Sequence, residues 1–247
     1  AATDAQTHVA AERFGRGGVG QAGVIVAPFD AWIDDWRLHG PAADLTPLRM
    51  QARDRGFGYD LALTAEGPLV LHGDGGFSMK SERGQASYYY SQPFYRAEGR
   101  LTLDGREARV TGHAWLDREW SSQPLDPDQT GWDWFSLVFD DGRRLMLFRV
   151  RQSEGDDSIA GTWIEPDGSA APLTAVDAAL TPLGHAAVAG RRTPVRWRLR
   201  IPARGFDVEA EALNPQSWNA LTVSYWEGPV RFRGSHAGRG YLEMTGY

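Results

Sequence analysis

The chain has 247 residues and carries 26 Lys and Arg against 32 Asp and Glu, for a net charge of −6 and a pI near 5.5. That balance argues against the clustered basic face that a nucleic-acid partner requires, and the absence of cysteine excludes disulfides, thiolate nucleophiles and Cys-ligated metals. No apolar run reaches bilayer length, so no transmembrane segment is expected, and residues 1–20 show no basic stretch followed by an apolar one that would read as a signal peptide.

The hydrophobic period is close to two along most of the chain. GYDLALT (58–64), REARVTGHAW (106–115) and RRLMLFRV (143–150) read as strands. VRWRLRI (195–201) puts Val195, Trp197, Leu199 and Ile201 on one face and Arg196, Arg198 and Arg200 on the other, the pattern of a half-buried strand with a solvated charged face. FDVEAEAL (206–213) and VRFRGS (230–235) continue it. The pairs Asp104-Gly105, Asp141-Gly142 and Asp167-Gly168 each separate two such runs, which is a hairpin signal. No amphipathic helix is evident, and no G-x-G-x-x-G leads into a helical pattern, so no nucleotide cofactor is expected. The predicted fold is all-β and antiparallel, a sandwich or barrel. The polar, proline-containing stretch SSQPLDPDQTG (121–131) reads as a functional loop or the start of a second unit.

The chemistry concentrates in GHAWLDREWSSQPLDPDQTGWDWF (112–135), where Trp115, Trp120, Trp132 and Trp134 stand among Asp117, Glu119, Asp126, Asp128 and Asp133. On a strand, His113, Trp115, Asp117 and Glu119 share one face. Carboxyl groups two residues apart then lie roughly 6 to 7 Å from each other, a separation that admits a water or a small reacting group between them. An acid walled by indole rings is poorly solvated when charged, so its pKa rises and it becomes a proton donor near neutral pH, while the rings face a developing cation. A purely structural reading, with the acids paired to Arg118 of a neighbouring strand and the tryptophans closing a barrel end, accounts for the same residues.

Other chemistries have weaker signals. There is no G-x-S-x-G elbow, although Ser87, Ser91, Ser121 and Ser122 with His72 or His113 keep ester hydrolysis as an alternative. The six histidines show neither H-x-H nor H-E-x-x-H spacing, and Asp126, Asp128 and Asp133 lack the spacing of an EF-hand and read as a solvated loop, so no metal site is expected. A barrel lined by aromatic residues also suits a non-catalytic carrier that holds a hydrophobic ligand by burial alone.

ASYYYSQP (86–93), GHAWLDREWSS (112–122), GWDWFSLVFDDGRRLMLFRVR (131–151), YWEGPVRFRG (225–234) and GRGYLEMTGY (238–247) resemble the bacterial predicted secreted hydrolases, a family related to carotenoid 1,2-hydratase (hydroxyneurosporene synthase) and to lipocalin-like proteins. The resemblance covers essentially the whole chain. It implies two lipocalin-like (calycin) antiparallel β-barrels in tandem, residues 1–112 and 113–247. It also implies that the first barrel's opening strands precede residue 1, in a missing N-terminal segment of the same protein. In the hydratase branch a Tyr-x-Asp segment carries the acid that protonates an isoprenoid double bond. Trp115 stands here at that Tyr and Asp117 at the acid, while the Asp-His-Asn continuation of relatives is Asp117-Arg118-Glu119. The implied catalytic pair is therefore Asp117 as acid and Glu119 orienting or deprotonating the water. Trp115, Tyr90, Trp132, Trp134 and His113 form the implied substrate wall, and the partner is a hydrophobic small molecule. A periplasmic or secreted location is implied as well.

Overall fold

The computed structural model describes residues 1–42, 44–81, 84–122 and 125–247. The architecture is the all-β one expected: among the described residues the helical content is a single 3-10 turn, Pro202–Arg204. Among the described residues no helix is long and apolar enough to cross a membrane. Contacts divide the chain into two compact units, one of residues 1–68 and 92–115, the other of residues 69–91 and 116–247. The expected cut at residue 112 runs differently from this: residues 69–91 belong with the second unit and 113–115 with the first. The reason is two unusually long strands, Ala86–Leu103 and Arg106–Trp120, each of which contributes one part to each unit.

In the first unit the strands Ala22–Ile25, Phe29–Ile33, Trp36–Gly40, Leu48–Asp54 and Phe57–Ala65 form an antiparallel meander. It continues onto residues 95–103 of Ala86–Leu103, with Tyr95 opposite Ala65 and Leu103 opposite Phe57. Asp104 and Gly105 then turn the chain with both φ angles positive, at 50° and 73°. A two-residue hairpin with the strands' right-handed twist needs that conformation, and an Asp-Gly pair supplies it at low cost. A separate short ladder joins Ala2–Thr3 to His8–Val9.

In the second unit a large antiparallel sheet runs in the order Ala170–Thr174, Ser158–Ile164, Arg144–Gln152, Gln129–Phe139, Gly238–Met244, Tyr225–Gly234, Phe206–Ala212, Arg191–Ile201 and Ala179–Val188. Asp141-Gly142 and Asp167-Gly168 turn its hairpins as expected. The sheet curls over its own face, because residues on strands that are not neighbours meet inside it. The Phe135 and Trp197 rings pack edge to face at 5.6 Å, and Trp163 meets Phe206 at 5.8 Å. Alternation along Arg191–Ile201 drives this: Trp197, Leu199 and Ile201 are buried while Arg196, Arg198 and Arg200 face solvent, where Arg198 and Arg200 pair with Asp207. Val70–Leu71 and Phe77–Met79 pair with the opening residues of Ala86–Leu103.

One expectation is corrected here. Asp133 does not join Asp126 and Asp128 in a solvated loop; it lies on Gln129–Phe139 with no exposed surface. Arg149 donates to its Oδ2 at 2.7 and 2.8 Å, and Arg151 and the Tyr247 hydroxyl donate to Oδ1, each at 2.7 Å. Strand alternation turns Asp133 inward, and the arginines of the neighbouring strand neutralise it. Of the 121–131 loop, residues 123 and 124 lie outside the described residues.

Candidate active site

The second unit holds a pocket of about 490 Å³ whose lining includes Lys80, Tyr89, Asp117, Glu119, Trp132 and Glu243. Trp120, Trp134 and Phe148 complete its aromatic walls. Asp117 and Glu119 do share a face and both reach this space, as their spacing requires. Trp132 and Trp134 line it too, from the strand Gln129–Phe139.

The other predicted residues are distributed differently. His113 and Trp115 belong to the first unit, His113 exposed and Trp115 half-buried. Tyr90 does not line the pocket; its immediate neighbour Tyr89 does. In Ala86–Leu103 the side chains of Ser87, Tyr89 and Ser91 point inward and are buried, whereas Tyr88 and Tyr90 face the other way against Trp120, at 5.9 and 6.2 Å. The YYY run gives no sign of which phase is inside.

Each acid has its own surroundings. Glu119 accepts from Ser87 at 2.6 Å and pairs with Lys80 at 2.5 Å, so it is a neutralised rim group. Lys80 lies over the rings of Phe148 at 4.2 Å and Tyr89 at 5.0 Å, which holds the ammonium in place. Asp117 accepts a hydrogen bond from the Ser91 hydroxyl. Tyr89, buried, accepts from the Trp134 indole at 3.1 Å, and burial together with the charges of Asp117 and Glu119 pushes its phenol well above its ordinary range.

Glu243 is the residue that sequence reasoning missed. It lies on Gly238–Met244, opposite Trp134 on one side and Glu227 on the other. Burial pushes its carboxyl up to about 7, against the hydrogen bond that the Trp132 indole donates to it at 2.7 Å. The negative charges of Glu227, Asp117 and Glu119 act in the same upward direction. The available signal was the alternation in YLEM: with Leu242 and Met244 in the core, Glu243 must face the opposite side of the sheet. Nothing local said that this side was walled by indoles.

The raised value has a consequence for stability. Between its ordinary value near 4.5 and about 7, the folded protein holds a proton that the unfolded chain has released. The stabilisation is thus fully present below about 4.5 and is lost as the pH rises through about 7. A thermal-denaturation series across this window is expected to show the melting temperature falling with pH in the native protein and a flatter profile in Glu243→Gln. Identical slopes would place the Glu243 pKa at its ordinary value.

The AttH-like family model matches residues 1–247. The chain belongs to the AttH-like family. A crystal structure from Nitrosomonas europaea described as an AttH superposes with a TM-score of 0.80 at 34% identity, over 88% of this chain and 69% of that one. This AttH-like chain also shares its fold with kievitone hydratase of Nectria haematococca, with a TM-score of 0.72 at 19% identity, over 87% of this chain and 70% of that one. Acyclic carotenoid 1,2-hydratase of Rubrivivax gelatinosus is 30% identical over 69 residues, which are 28% of this chain and only 17% of that protein. The similarity to that curated relative thus spans less than a fifth of its length. The curled all-β architecture is the lipocalin-like one that the sequence resemblance implied.

Proposed function

We propose that this protein adds water to a carbon–carbon double bond of an apolar, isoprenoid or lipid-like small molecule, or removes it, in the pocket walled by Trp132, Trp134 and Tyr89. The observation that carries the reading is the placement of the Glu243 carboxyl, against the Trp132 indole in a space it shares with Asp117, where burial pushes it up to about 7. A donor whose pKa matches the working pH is both substantially protonated and willing to part with its proton. Glu243 gives its proton to one alkene carbon; the adjacent carbon becomes electron-deficient beside the aromatic walls and takes the oxygen of a water. Asp117 accepts the proton that this water loses, so one water is consumed and the two carboxyls exchange states. The role of acid, implied for Asp117 by the resemblance, thus passes to Glu243, and Asp117 becomes the base.

Glu119, held by Lys80 and Ser87, orients rather than transfers. The similarity to two hydratases supports the reaction class; an exported location rests on the resemblance to the secreted hydrolases. Ester hydrolysis receives less support, because Ser91, which has a histidine at 2.7 Å, is fully buried and already donates its hydroxyl hydrogen to Asp117. The test is incubation with a panel of isoprenoids, fatty acyl esters and free fatty acids, followed by mass spectrometry. A product heavier or lighter by one water supports the proposal. Cleaved esters would replace it with a hydrolase, and ligands recovered bound but unchanged would replace it with a carrier.

A further inference from the structure

Behind Asp117 the second unit contains a run of buried polar side chains that the reaction above does not use. His72 has no exposed surface, and neither has Ser91; Thr162 is 2% exposed. His72 Nε2 lies 2.7 Å from Ser91 Oγ, and His72 Nδ1 lies 2.8 Å from Thr162 Oγ1. Ser91 in turn meets Asp117 Oδ1. Four side chains, three of them on strands and His72 just past the end of Val70–Leu71, therefore form one continuous line that ends at the pocket.

Proton counting gives this line a direction. A serine hydroxyl has one hydrogen, and an ionised carboxylate can only accept. With Asp117 ionised, the Ser91 hydrogen is committed to it, so the bond between Ser91 and His72 must be made by an Nε2–H. A neutral imidazole has one N–H, so Nδ1 is then an acceptor and Thr162 supplies the hydrogen. Had Asp117 been protonated and donating, every bond would reverse and His72 would carry its hydrogen on Nδ1. The two arrangements are mutually exclusive.

We infer that Thr162, His72 and Ser91 form a one-way hydrogen-bond chain that donates into Asp117 and favours its ionised, proton-accepting form in the pocket, with His72 in the neutral Nε2–H form. This rests on the reading of the pocket given above. His72 is a positioning residue here and never the base: burial and the Lys80 cation hold its pKa down to about 3, so the imidazole stays neutral at working pH. Among the described residues, the other titratable groups that line the pocket with Asp117 are Lys80, Tyr89, Glu119 and Glu243. Tyr89 also engages Asp117 through a hydrogen bond, a second donor that favours the ionised form.

The experiment needs no substrate, so its outcome is independent of whether a hydration product is ever found. Nitrogen-15 NMR of histidine-labelled protein reads the tautomer, with His72 assigned by its loss in His72→Gln. Carbon-13 NMR of aspartate-labelled protein reads the titration of Asp117, assigned through Asp117→Asn. The expected result is a neutral Nε2–H ring from about pH 5 to 8. In Ser91→Ala the Asp117 titration is expected to move to higher pH by on the order of one pH unit, because the carboxylate has lost a donor. An Nδ1–H tautomer in the native protein, or an Asp117 titration indifferent to Ser91→Ala, overturns the inference. Should Ser91→Ala fail to fold, Thr162→Val removes the outer donor and leaves Asp117 and Ser91 in place. That variant is expected to displace the Nδ1 resonance with Nε2 still protonated; an unchanged Nδ1 resonance overturns the chain's direction. A hydration product together with an Nδ1–H ring would return the acid role to Asp117, whereas an Nε2–H ring with no hydration product would leave the chain standing and remove only the proposed reaction.

Discussion

Replacing Glu243 with glutamine is expected to lower turnover of a hydrated panel substrate by roughly 10²- to 10⁴-fold while leaving its binding nearly unchanged. Glutamine keeps the size of the side chain and an oxygen that can accept from the Trp132 indole at the same place, so the wall of the pocket is preserved. What disappears is the transferable proton. The stability control runs in the favourable direction: above about pH 7 the native protein carries a charge that burial opposes, and the neutral amide does not. Loss of activity therefore cannot be credited to unfolding. If the proposed hydration is its reaction, the kcat profile of the native protein is expected to fall as the pH rises through about 7, since the donor must be protonated. Turnover that survives in Glu243→Gln would remove Glu243 as the acid. Asp117→Asn in the same assay tells whether a second carboxyl is needed or whether the acid was Asp117 from the start.

The second large effect lies in the sheet beneath the pocket. Asp133→Ala is expected to destabilise the protein by about 3 to 5 kcal/mol, the usual consequence of breaking a buried ion pair by deleting one partner. Arg149 and Arg151, only 12% and 13% exposed, would lose the carboxylate they share, Arg149 keeping only the longer contact with Asp157 at 3.6 Å, and Tyr247 would lose the acceptor of its hydroxyl. In a chain of this size that corresponds to a fall in melting temperature on the order of 10 °C. Asp133→Asn keeps the shape and one acceptor oxygen, so it is expected to lose less. Calorimetry on the two variants separates the charge from the hydrogen bonds; an unchanged melting temperature in Asp133→Ala would show that the arginines find solvent or other acceptors at no cost.

The strands and hairpins were legible in the sequence because their causes are local. Period-two alternation in residues 195–201 needs only the pleat, and an Asp-Gly pair needs only its own positive φ angles. The shared face of Asp117 and Glu119 follows from the same periodicity, and so does the presence of Trp132 and Trp134 on a strand close by in sequence. The sequence by itself therefore determined an antiparallel β protein with two acids and two indoles available to one site. The tertiary structure alone decided which acid is kept near neutrality, since that depends on Glu243 arriving from more than a hundred residues away to lie opposite Trp134. It decided the phase of the YYY run, because either Tyr89 or Tyr90 satisfies local geometry and only the pairing with Val70–Leu71 and Phe77–Met79 turns Tyr89 inward. It also decided that Asp133 is a buried anchor rather than a loop acid, and that His72, Ser91 and Thr162 meet behind Asp117. A group's pKa and its hydrogen-bond partners are set by everything packed around it, and that packing brings together residues that no spacing rule connects.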